Sequence, residues 1–197
     1  MKIICIEQNY IAEQNYATPQ EPIFFLKPES CLLKNNKDFW LANFSENFQH
    51  ELEIVFKIGK LGKCIQEKFA YRYIETIALG INITARDLQN KCQQNGLPWE
   101  ISKCFDGSAV ISDFIPFENF NNINFSLYKN EQLVQKGNSS EMIFSIFKII
   151  EYVSKFMTLK IGDIIYSGTP QGVNKLNIGD NLKGFIENME VINFKIK

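Results

Sequence analysis

The stretch Gln49-His50-Glu51-Leu52-Glu53-Ile54-Val55-Phe56 constrains this chain more than any other. Its apolar and β-branched residues read as a β-strand. Side chains two apart on a strand share a face, with Cα atoms about 7 Å apart. Glu51 and Glu53 therefore point one way, and Leu52 and Ile54 point the other way, into a core. Two carboxylates on one face of a rigid strand repel unless a cation lies between them. Oxygen-only donors suit a hard cation such as Mg2+, Mn2+ or Ca2+. Taken alone, the strand favours a plainer reading, a solvated face with two ordinary glutamates. Motifs elsewhere in the chain shift that balance.

The 197 residues suffice for one large domain that buries a core without staples. We take residues 1–197 as a single catalytic domain, with 1–47 an N-terminal strand, lid loop and turns, and 48–197 the core. The formal net charge is −1 and no basic run occurs, which argues against nucleic acid or an anionic membrane surface as partner. Seventeen phenylalanines suggest a bulky, strand-rich interior. The five cysteines are odd in number and form no CxxC, so neither a disulfide framework nor a zinc site is indicated. Reduced thiols fit a cytoplasmic protein. His50 is the one histidine, which excludes a His-rich metal site. No apolar run approaches the roughly 20 residues needed to span a membrane.

Along the chain, strands are expected at 2–6, 23–27, 39–41 and from Glu51 to Gly59. A short helix is expected over 65–73 and a central strand over 74–83. Thr84, with Asp87 three residues on, resembles a capping box for a helix over 85–95 that Gly96 and Pro98 stop. Further strands are expected near 108–117, 123–129 and 132–136. Ser145 should cap a helix whose stripe of Ile146, Ile149, Ile150, Val153 and Met157 packs on the core. Long-range β pairing with few helices makes a β-rich α+β fold.

Five stretches carry the chemistry. They are Glu51-Leu52-Glu53, Asn82-Ile83-Thr84-Ala85-Arg86-Asp87-Leu88-Gln89, Lys103-Cys104-Phe105-Asp106, Gly137-Asn138-Ser139-Ser140-Glu141-Met142-Ile143, and Ser167-Gly168-Thr169-Pro170-Gln171-Gly172-Val173. In this order they resemble the fumarylacetoacetate hydrolase family, nearest its short members that act on acylpyruvates and oxaloacetate. The resemblance implies a mixed β-sandwich roll, a homodimer, and one Mg2+ or Mn2+ per subunit. It implies metal ligands at Glu51, Glu53 and position 82, and a 2-oxo acid or its enol as small-molecule substrate. Lys103 matches the active-site lysine, and Gln89 and Thr169 match substrate-binding positions. Gly168 would let the backbone approach the ligand. Arg86 would clamp a carboxylate, or else pair with a neighbour such as Asp87. The reactions implied are hydrolysis, decarboxylation or tautomerisation, all of which need a stabilised enolate.

The chain departs from that pattern at four positions. Position 82 is Asn, not Asp, so one anionic ligand is lost and weaker metal binding is expected. In the N-terminal motif the family's Arg, His and Glu are replaced by Gln8, Glu13 and Tyr16. The His–Glu pair activates the hydrolytic water, so C–C hydrolysis suffers most, whereas tautomerisation and decarboxylation need only the metal and a proton carrier. The alternative is a silenced member that keeps the fold and binds an oxo acid.

Overall fold

A computed structural model describes residues 1–11 and 18–197. In chain order its strands and α-helices are β1 (Ile3–Glu7), β2 (Ile23–Lys27), β3 (Leu32–Leu33), β4 (Phe48–Ile58), β5 (Ile74–Ala85), α1 (Arg86–Gln94), β6 (Ala109–Ile111), β7 (Asn124–Lys129), β8 (Gln132–Asn138), α2 (Ile146–Phe156), β9 (Ile164–Tyr166), β10 (Asn174–Lys175), β11 (Asn181–Ile186) and β12 (Met189–Lys195). The large sheet runs β2-β1-β9-β4-β5-β6-β3, and β10 also pairs with β4. It is mixed, because β1 with β9 and β3 with β6 are parallel. The smaller sheet, β12-β11-β7-β8, is antiparallel throughout. This is the β-rich α+β sandwich that the sequence indicates.

The hairpin of β4 and β5 is the spine, paired from Phe48↔Ala85 to Ile58↔Ile74. Leu52, Ile54 and Phe56 face the smaller sheet and α2, meeting Leu127, Leu182 and Ile149 in the main core. Each such side chain contributes about 1.5–3 kcal/mol when fully buried. Ser145 caps α2 by accepting the Lys148 N–H at 3.2 Å, and Ile146, Ile149, Ile150 and Val153 form its buried stripe. Met157 lies just past the helix end and is half-buried.

The opposite face of β4 is the unusual one. It carries Glu51, Glu53 and Val55, and it too is covered. Val55 packs with Ile3, Cys5, Phe25, Ala78 and Tyr166, and Trp99 and Cys104 lie against that cluster. Glu51 and Glu53 are 5% and 1% exposed, so the solvated-face alternative fails.

Three local expectations are corrected. Thr84 is inside β5, paired with Gln49, and does not cap α1; Ala85 stands at the cap without a side-chain bond. Asp87 turns away to Ser45 Oγ at 2.5 Å and Glu46 N at 2.9 Å, so no capping box forms. The short helix expected over 65–73 is present as a 3-10 helix over Glu67–Tyr73. Phe39–Leu41 gives only an isolated bridge, Phe39 to Ile196. The strand expected over 108–117 is cut to Ala109–Ile111, because the Ser112 hydroxyl takes the Leu79 N–H at 3.0 Å and interrupts the ladder.

Candidate active site

Four elements bring the acidic strand its partners. β5 lies beside β4 with Asn82 opposite Glu51 and Gly80 opposite Glu53. Asn82 Nδ2 donates to Glu53 Oε1 at 3.0 Å. Beyond the end of β9, the Gly168 N–H donates to Glu53 Oε2 at 2.6 Å. Gly168 has φ +97°, and a Cβ there would lie 2.7 Å from Asn9 Cβ, so glycine is required for this approach. Arg86 opens α1 directly after β5. Its Nη2 donates to Glu51 Oε1 at 2.6 Å and its Nε to Gln49 Oε1 at 3.0 Å, while Nη1 donates to Gln89 Oε1. The 99–108 connection delivers Lys103, whose Nζ donates to Glu51 Oε2 at 2.6 Å and lies 3.1 Å from Glu7 Oε1.

Lys103 is held from behind as well. Ser108 Oγ donates to the Lys103 carbonyl at 2.7 Å, and the buried Lys27 Nζ donates to the Ser108 carbonyl at 2.9 Å. Such buried charges are stable only when paired and hydrogen-bonded.

The electrostatics separate the two glutamates. Burial alone would raise the Glu51 carboxyl, but Lys103 and Arg86 overcome it and hold Glu51 below its ordinary value. Glu53 has no such cation in contact. Burial, reinforced by the Glu51 charge, pushes it up to about 8, against the hydrogen bonds from Asn82 and Gly168. Burial opposes the charge on Lys103, yet Glu51 and Glu7 outweigh it and raise this ammonium above its ordinary value. Lys103 is therefore a cation at neutral pH, not a free amine.

The sequence-derived residues thus converge in two bonded groups, Glu51 with Arg86, Gln89 and Lys103, and Glu53 with Asn82 and Gly168, set side by side by the pairing of Glu51 with Asn82, and Thr169 follows Gly168. Arg86 pairs with Glu51 rather than Asp87. Gln8 is exposed with left-handed φ +53°, while Asn9 and Tyr10 beside it are buried. Glu13 and Tyr16 lie outside the described residues. Glu7, Gln49, Lys27 and Gln135 were not singled out from the sequence. Glu7 sits at the end of β1 next to the Gln8-Asn9-Tyr10 motif, a signal that was available; Gln135 had none.

The donor set fits a divalent cation. Glu51 and Glu53 offer carboxylate oxygens on one face, and Asn82 Oδ1 is buried without a hydrogen-bond partner. An unpartnered buried carbonyl oxygen on the strand beside two carboxylates is a donor that a hard cation can take. Among the described residues no three His, Cys, Asp or Glu side chains are grouped to hold a metal; the third donor of this set is the Asn82 amide.

Residues 2–197 match the family described as fumarylacetoacetate (FAA) hydrolase C-terminal. The chain belongs to the fumarylacetoacetate hydrolase family. The mitochondrial oxaloacetate tautomerase FAHD1 of Bos taurus is 38% identical over 201 residues, 99% of this chain and 91% of that protein. Oxaloacetate tautomerase YcgM of Escherichia coli is 36% identical over 188 residues, 92% of this chain and 86% of that one. Among solved structures, fumarylpyruvate hydrolase from Pseudomonas aeruginosa, in complex with Mn2+ and pyruvate, superposes with a TM-score of 0.94 at 28% identity, covering 100% of this chain and 89% of that one. Those family members are enzymes. No helix among its described residues is long and apolar enough to cross a membrane.

Proposed function

We propose that this family member is a divalent-metal-dependent tautomerase of oxaloacetate-type 2-oxo acids, with Mg2+ or Mn2+ held by Glu51, Glu53 and Asn82. The observation that supports this most is the fully buried Lys103 ammonium at 2.6 Å from Glu51, beside an acidic pair with an unpartnered amide oxygen. Two oxaloacetate tautomerases align with nearly the whole chain. Their reaction, like decarboxylation and unlike C–C hydrolysis, tolerates replacement of the water-activating pair at Glu13 and Tyr16.

A bound dication would polarise the keto oxygen of the substrate. The chain's own residues do the rest. Lys103 Nζ keeps its proton and presents it to the oxygen on which enolate charge develops. Arg86 has all three of its donor nitrogens engaged by Gln49, Gln89 and Glu51, so it orients Glu51 and Gln89. Gln89, 4% exposed, is thereby held by its oxygen, leaving its amide N–H groups to donate to a carboxylate. Homodimerisation and a cytoplasmic setting remain part of this proposal, as does a single domain over 1–197.

The test is the ultraviolet decay of enol-oxaloacetate with Mg2+, with Mn2+ and with EDTA. Metal-dependent acceleration that K103M abolishes supports the proposal. If no metal accelerates the decay but oxalate still binds, the silenced alternative holds.

A further inference from the structure

Gln135 belongs to β8, the edge strand of the smaller sheet, and its side chain crosses to the large one. On β4, the neighbours β9 and β10 pair with Val55–Lys57 and with Gln49–His50, which leaves the Leu52 N–H between them without a strand partner. Gln135 Oε1 accepts that N–H at 3.0 Å and also contacts His50 Nδ1 at 2.8 Å. Its Nε2 donates to the Pro170 carbonyl at 2.9 Å and lies 2.9 Å from Thr169 Oγ1. The side chain is 2% exposed.

Two backbone groups fix which end of this amide is which. A backbone N–H only donates, so the end at Leu52 is the oxygen. A backbone carbonyl only accepts, so the end at Pro170 is the nitrogen. It follows that Thr169 Oγ1 accepts from Gln135. With one lone pair used there, the Thr169 hydroxyl hydrogen has within the protein only a long 3.4 Å contact to the Pro170 carbonyl, which a better-placed acceptor outcompetes. Thr169 is half-buried, directly after the Gly168 N–H that touches Glu53.

The loop is also seated on β8 by packing. A Cβ at Gly172 would lie 2.1 Å from the Val134 carbonyl oxygen, and one at Gly137 would lie 2.9 Å from Pro170 Cγ. Gln135 thus ties the 168–172 loop to both sheets.

We propose that Gln135 is a positioning residue that fixes Thr169 as a hydrogen-bond donor to an anionic oxygen of the bound oxo acid. The inference rests on the oxo-acid reading above. Q135E is nearly isosteric but reverses the polarity. One carboxylate oxygen still accepts from Leu52, whereas the other repels the Pro170 carbonyl and draws the Thr169 hydrogen to itself.

The experiment is calorimetric titration of oxalate, an enolate mimic, into the Mn2+-loaded protein. A lost charge-assisted hydrogen bond weakens binding on the order of tenfold or more. T169V and Q135E should each weaken oxalate about tenfold by that reasoning, and the Q135E/T169V double variant should bind no more weakly than T169V. Should Q135E fail to fold, Q135M decides: it should weaken oxalate with Thr169 present and have no effect in the T169V background. Wild-type affinity in Q135E or in T169V overturns the inference, as does an equal loss from Q135M in both backgrounds, the mark of a merely structural role. Absence of oxalate binding by the wild type overturns the oxo-acid reading and this inference with it.

Discussion

Replacing Asn82 with aspartate probes the acidic strand most sharply. The Asn82 amide donates to Glu53 Oε1 at 3.0 Å. The variant puts a second carboxylate there. Two unit charges 3 Å apart in an effective dielectric near 20 repel by about 5 kcal/mol. A proton on Glu53 relieves this, and Glu53 in the wild type already titrates at about 8. The penalty should therefore be negligible at pH 6 and reach about 1.4 kcal/mol at pH 9, one pH unit above that titration. A dication reverses the ranking, because a third anionic ligand tightens its binding. A hundredfold tighter site adds about 2.7 kcal/mol of stabilisation at saturating metal. Urea unfolding at pH 6 and pH 9, in EDTA and in Mn2+, measures all four values. Equal stability of wild type and N82D in EDTA at pH 9, or equal stabilisation of both by Mn2+, would refute the reasoning.

Other outcomes follow from the same geometry. Glu53 holds a proton in the fold at pH values where the unfolded chain has lost it. The wild type in EDTA should accordingly lose stability between about pH 4.5 and 8, at up to about 1.4 kcal/mol per pH unit, and level off above. Because that proton must leave before Glu53 ligates a metal, Mn2+ affinity should rise about tenfold per pH unit below 8 and flatten above, as read by calorimetry in buffers of different ionisation heat. K103M leaves the buried Glu51 with Arg86 as its remaining charged partner, and should cost about 3–5 kcal/mol in urea unfolding.

The sequence announced the acidic strand well. Alternation over Gln49–Phe56 is a local pattern, and it correctly set Glu51 and Glu53 against Leu52 and Ile54. The stripe of α2 was legible for the same reason, since 3.6-residue periodicity needs no knowledge of neighbours. The Thr84 cap was misread because β5 continues to pair with β4 as far as Ala85, a tertiary demand that overrode a local capping signal. Asp87 was likewise claimed by Ser45 and Glu46, about forty residues earlier in the chain. Burial of the acidic pair could not be read from alternation, because the 99–108 connection that covers it is irregular. Gln135 was invisible for a related reason. It meets Leu52 across 83 residues and Thr169 across 34, and nothing in Gln132–Asn138 distinguishes it from an ordinary edge-strand glutamine.

Electron paramagnetic resonance of Mn2+ titrated into the protein tests the central claim most directly. One ion per chain should lose its free-ion signal at pH 8 or above in the wild type, and E53Q should release it, leaving binding at least about a hundredfold weaker for want of an anionic ligand. Undiminished Mn2+ binding by E53Q would contradict the account, since it would place the cation away from the Glu51 and Glu53 face.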